Sequence, residues 1–103
     1  MSQLSGQFTQ DVPENRRYIL DYTLQLSSGE TVTSLTYSLS SPTGGNPLAL
    51  TISNVTLNSA GTMGFFYATG GIANQQYEVA FLATTSIGQI FEDVIKFTIT
   101  GKV

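Results

Sequence analysis

The chain reads as an all-β domain, an immunoglobulin-like antiparallel β-sandwich of about seven strands with an extended N-terminal arm. Three observations predict this. Apolar residues recur at every second position along successive stretches, those stretches follow one another about every ten residues, and clusters of Gly, Ser, Asn and Pro separate them. No stretch sustains a helical period with caps.

The last hairpin organises the rest. Tyr77, Val79, Phe81 and Ala83 alternate on one arm and Phe91, Ile95, Phe97 and Ile99 on the other, around the turn Thr85-Ser86-Ile87-Gly88-Gln89. A period of two buries one face of a strand, and Glu78, Lys96, Thr98 and Thr100 fall on the opposite face. Asp93 breaks the pattern, because it shares the phase of Phe91 and Ile95. If it is buried, it needs amide donors or Arg17; otherwise a bulge lies there.

Taken from the start, residues 1–17 carry no sustained period and are expected as an extended arm with a short β segment around Phe8, its large apolar anchor, docking on the domain or on a neighbour. Residues 18–103 form the sandwich domain, a single core being usual at a length of 103 residues. Tyr18–Leu26 alternates with Leu20, Tyr22, Leu24 and Leu26 inward and ends at the turn Ser27-Ser28-Gly29-Glu30. Thr31–Ser40 follows with Leu35, Tyr37 and Leu39 inward, and Val32 out of phase predicts a bulge near Thr33-Ser34. Residues 41–47 hold two of the three prolines and break the sheet. Leu48, Leu50 and Ile52, then Val55 and Leu57, predict a strand with a phase change at Ser53-Asn54. Asn58–Gly61 is a turn. Met63–Thr69 is apolar on both faces, and Gly70–Gln76 is the loop into the hairpin.

Charge narrows the function. A net charge of −3 and a pI of about 4.4 argue against nucleic acid, which demands clustered Lys and Arg; the basic residues are Arg16, Arg17, Lys96 and Lys102. Residues 31–77 contain no Asp, Glu, Lys or Arg. A neutral hydroxyl-rich surface of that extent suits contact with other subunits, while the plainer reading is that such strands solvate well. Residues 1–6 lack the basic and apolar regions of a leader, and no apolar run approaches the roughly 20 residues that cross a bilayer, so no membrane partner is expected.

Catalytic chemistry has little to work with. The chain contains no His and no Cys, which removes the usual general bases, thiolate metal ligands and disulfides, and no Ser-x-x-Lys activates a serine. The adjacent carboxylates Glu92 and Asp93 point to opposite strand faces, so they do not converge on one substrate atom. Glu92 reads as a ligand for a partner's arginine or as an edge-protecting charge. No Asp-x-Asp loop gathers oxygens for calcium. No enzyme activity, cofactor or metal is expected. The sequon Asn54-Val55-Thr56 is read as chance. An exposed ring at Phe66, Tyr67 or Tyr77 would suit a sugar-binding face, although core packing is the commoner use of such rings.

Several segments then fall into a pattern: Phe8, Asp11 and Pro13 ahead of Leu20-Asp21-Tyr22; Gly29-Glu30-Thr31-Val32; Tyr37; Gly70-Gly71 leading to Tyr77-Glu78-Val79; and Thr84–Gln89 followed by Glu92-Asp93. Together they resemble a family of small immunoglobulin-like virion proteins of tailed bacteriophages, of the fibre-tail adaptor and decoration type. Departures are Tyr37 where that family often has Trp, a longer Pro-rich loop at 41–47, and Val12 between Asp11 and Pro13. The resemblance implies a non-enzymatic virion protein, assembled in the host cytoplasm as a homo-oligomer, that binds tail, fibre, portal or capsid proteins through its arm and sheet edges. Fibre-tail adaptor is its first implication and capsid decoration its second; a host-glycan-binding module is a different class. The interface residues it points to are Phe8, Asp11, Pro13, Phe66, Tyr67 and Glu92.

Overall fold

The computed structural model describes residues 4–41 and 49–101. Among them are seven strands and no α-helix: β1 (Leu4–Asp11), β2 (Asn15–Asp21), β3 (Val32–Ser40), β4 (Leu50–Leu57), β5 (Met63–Gly70), β6 (Gln76–Thr85) and β7 (Ile90–Thr100). They form a four-stranded sheet in the order β1-β7-β6-β3 and a three-stranded sheet in the order β2-β5-β4. The core lies between the sheets. Phe66 of β5 meets Phe81 of β6 with ring centroids 4.6 Å apart, and both rings are fully buried with Tyr77, Val79 and Phe97. Burying each such side chain stabilises the fold by roughly 1.5–3 kcal/mol before the ordering cost.

The β6–β7 hairpin follows the predicted alternation, and its register runs unbroken from Gln76↔Thr98 to Thr84↔Ile90. Phe81 therefore stands opposite Asp93, so no bulge absorbs that acid. Asp93 instead keeps the inward phase, half-buried, and its charge acts on the buried phenol of Tyr22. Arg17, the expected partner, lies elsewhere: its guanidinium sits 4.4 Å above the Phe65 ring.

Two predicted irregularities are present where the phase of the apolar residues changes. The β3–β6 register shifts between Val32 and Ser34, and the β4–β5 register shifts between Ser53 and Thr56, where Asn54 has a φ of 52°. The Asn58–Gly61 turn is also present, clamped by Asn58, whose Oδ1 accepts from the amides of Thr62 at 2.8 Å and Met63 at 3.0 Å.

Other expectations need correction. Residues 4–11 are β1, a strand paired in parallel with β7 from Gly6↔Ile95 to Asp11↔Thr100, so this segment completes a sheet of the domain and the sandwich is not wholly antiparallel. The expected boundary after residue 17 falls inside β2. The strand expected over 18–26 stops at Asp21. There the Asp21 carboxylate accepts from the Thr23 amide at 2.9 Å and hydroxyl at 2.6 Å, and the Tyr22 carbonyl accepts from Gln25 and Leu26. This local turn chemistry outcompetes the apolar alternation, leaving Leu24 fully exposed. Tyr37 holds the inward phase but remains 42% exposed at the flank of the sandwich. Apart from Ser41, the Pro-rich breaker lies outside the described residues, as does Leu48.

Candidate interaction surface

The segment containing Phe8, Asp11 and Pro13 forms the corner where the chain passes from one sheet to the other. Its geometry begins with Gln10, which is buried although polar and therefore has to satisfy both ends of its amide. Its Nε2 donates to the Ala68 carbonyl at 2.7 Å and the Glu14 carbonyl at 3.0 Å, and its Oε1 accepts from the Tyr18 hydroxyl at 2.6 Å. Glu14 closes the turn: its carboxylate accepts from the Asp11 amide at 2.8 Å, while its own amide donates to the Asp11 carbonyl at 3.0 Å. The Asp11 carboxylate accepts from the Thr100 hydroxyl, which ties the corner to the end of β7. Burial raises the Tyr18 phenol pKa, with Arg16 opposing the shift and Glu14 adding to it.

On this corner Phe8 is 40% exposed, its ring 4.7 Å from Tyr18 and 5.9 Å from Phe97. Pro13 is exposed and Asp11 half-buried. Phe8 shares the inward phase of Gln10 while Asp11 takes the opposite phase of β1, so their side chains leave the strand on different faces, and the Phe8 ring is anchored on one side and open on the other.

The remaining sequence candidates separate. Phe66 is fully buried, with Tyr18 stacked on it at 5.4 Å, so it belongs to the core and not to a surface. Tyr77 is buried too, its hydroxyl accepting from the Ile72 amide at 2.9 Å. Two of the three rings considered for sugar binding are therefore removed from solvent. Tyr67 is half-buried on the outer face of β5, facing Arg17 in register, and Phe65 shares that face beneath the Arg17 guanidinium. Glu92 lies on the outer face of the other sheet, opposite Leu82.

One cluster was not singled out from the sequence. Gly29-Glu30-Thr31-Val32 and Thr84–Gln89, distant in the chain, interlock at one end of the sandwich. Val32 pairs with Thr85, the Ser86 amide donates to the Thr31 carbonyl at 2.8 Å, and the Thr31 amide donates to the Ser86 hydroxyl at 3.1 Å. Glu30 is buried among these polar groups, accepting from the Ser27 amide at 2.8 Å and from Gln89 Nε2 at 3.0 Å. The Ser27 amide bond, followed by Thr85, holds the Glu30 carboxyl below the usual carboxylate range. Both segments carry the sequence resemblance, but only their pairing reveals Glu30 as a clasp.

A family profile described as Podophage GP4 fiber-tail adaptor protein gp77 matches residues 10–98, from the buried Gln10 through Thr98 of β7. The chain belongs to that family. The match takes in the corner from Gln10 onward and the Glu30 clasp, while Phe8 and most of β1 lie outside it, so it spans six strands and the end of β1 rather than a short peptide motif. The family is one of phage tail structural proteins, in keeping with a chain that lacks His and Cys. No curated protein matches. Among solved structures, a 2,6-sialyltransferase from Photobacterium sp. JT-ISH-224, crystallised with CMP and lactose, matches 98% of this chain and 18% of its own, with a TM-score of 0.54 at 9% identity. The chain thus spans less than a fifth of that structure's length, and the likeness concerns the fold alone.

Proposed function

We propose that this protein is a non-enzymatic fibre-tail adaptor of a podophage virion, joining neighbouring tail and fibre proteins through its β1–β2 corner and a sheet edge. The family match over residues 10–98 carries the proposal. The fold supports it: among the outer strands of the sandwich, β3 presents an uninterrupted run of backbone groups to which a strand can be added. The strand order β2-β5-β4 facing β3-β6-β7 supports the immunoglobulin-like reading of the sandwich. Phe8, anchored on Tyr18 and Phe97 and open on its other side, has the form of an aromatic anchor at a protein contact, and Asp11 and Pro13 lie at the turn that follows β1.

Incorporation tests the reading. Phage produced from a genome encoding Phe8→Ala should yield particles depleted in this protein and in the fibres, while the purified variant keeps the native melting transition. Unchanged incorporation would remove the corner from the interface. A virion reconstruction with the copies on the head rather than at the tail would overturn the adaptor role.

A further inference from the structure

We propose that the outer edge of β3 is a self-association site, at which a second copy of this chain adds its own β3 antiparallel across a two-fold axis. The proposal concerns the free protein; it goes beyond the tail reading and does not rest on it.

The two sheets have four outer strands, and three of them carry the devices that keep sheet edges from pairing. β2 bears Arg16, Arg17 and Asp21. β4 is kinked mid-strand at Asn54, whose backbone is left-handed, with the register shifted between Ser53 and Thr56. β1 has a register shift between Leu4 and Gly6 and ends on Asp11. β3 differs. Its shift lies at its first residues, and from Ser34 to Ser40 it runs in continuous register with β6, with no charge, no proline and no glycine. No described residue hydrogen-bonds to the outward backbone groups of that run.

The composition of β3 also selects the occupant. Across a two-fold axis each residue faces its counterpart and the central residue faces itself, so any charge near the axis would meet a like charge. β3 is free of that conflict. Thr36, Ser38 and Ser40 stand exposed on its outer face, and hydroxyl side chains form favourable cross-strand pairs with their own kind. On the inner phase Tyr37, its hydroxyl reaching the Ile52 carbonyl at 3.4 Å, leaves part of its ring uncovered beside the free edge, where an added strand would lie against it. Antiparallel pairing is the more stable arrangement per residue.

The natural absence of cysteine makes the test clean. Single cysteines placed in turn at residues 34–40 of the full chain, oxidised under mild conditions, should give disulfide-linked dimers at one central position, and mixtures of two variants should cross-link only where the two residue numbers have one constant sum. Sedimentation of the unmodified chain should show a concentration-dependent dimer, and Thr36→Lys combined with Ser38→Lys should weaken it by about tenfold or more. Thr51→Lys on β4 should leave it unchanged. Circular dichroism melts establish that each variant is folded. A monomer at every concentration, cross-links between residues 34–40 that follow no constant sum, or a dimer indifferent to the paired lysines would each overturn the proposal.

Discussion

The Tyr18 hydroxyl donates a 2.6 Å hydrogen bond to Oε1 of Gln10, joining β2 of one sheet to β1 of the other. Gln10 also serves the Ala68 and Glu14 carbonyls, so one buried amide satisfies three partners. Gln10→Ala strips all three at once and should cost about 2–4 kcal/mol in urea unfolding, whereas Tyr18→Phe should cost only about 1 kcal/mol. Equal costs would mean that the amide has no role beyond its bond to the phenol. The same geometry predicts that removing residues 1–17 destabilises the whole sandwich rather than trimming an appendage.

What the sequence made legible, and what it did not, divides along the range of the interaction. Alternation in Tyr77–Ala83 and Phe91–Ile99 survives because both arms face one continuous core, and the phase slips at Val32 and Ser53-Asn54 are local events written in the order of apolar residues. β1 was legible only as a short β segment around Phe8 and not as a strand of the sandwich: Phe8 is its one large apolar residue in the described side chains, and its pairing depends on β7, more than eighty residues away in register. Leu24 misled for the opposite reason, since the Asp21–Thr23 turn acts over two residues and overrides the pattern. At the surface, Phe66 and Tyr67 are adjacent rings that only the assigned faces separate, one into the core and one outward.

Glu30 makes the clasp between the β2–β3 turn and the β6–β7 turn acid-sensitive. Its folded pKa is depressed by the Ser27 amide first, so the stabilisation it gives is present above its ordinary 4.5 and is lost as pH falls through the lower folded value. The melting temperature should therefore drop on acidification below that point. Glu30→Gln should flatten this limb of the curve while lowering stability at neutral pH; an unaltered acid limb would assign the acid sensitivity to other carboxylates.

Gly71 is fixed by space as well as by conformation. Its φ is 92°, and a β-carbon there would lie 2.8 Å from Cγ1 of the buried Ile99. Gly71→Ala should cost about 1–3 kcal/mol. Gly88, with a similar φ of 88° but nothing within 4 Å, supplies the comparison. Gly88→Ala carries only the conformational strain and should cost less by thermal melting.

Tyr22 should make the fold sensitive to alkali. Its hydroxyl is buried and has no partner at hydrogen-bond geometry, its ring is stacked on Phe91 at 6.2 Å, and burial, followed by the Asp93 charge, raises the phenol pKa above its ordinary 10.0. Above that pH the unfolded chain releases the phenolic proton while the native chain retains it. The unfolded state then binds fewer protons, so stability falls as pH rises, until the native phenol titrates as well. Tyr18, raised in the same direction by burial, adds to the slope. Tyr22→Phe removes a buried hydroxyl without stripping a partner, so at neutral pH it should be neutral or slightly stabilising. Its larger effect should appear on the alkaline side, where the variant retains stability that the parent loses between about pH 10 and 12. Urea midpoints across that range decide it. A variant that loses stability as steeply as the parent would place the alkaline transition on other groups, and one that is markedly destabilised at pH 7 would show that the hydroxyl is held by a bond to Asp93.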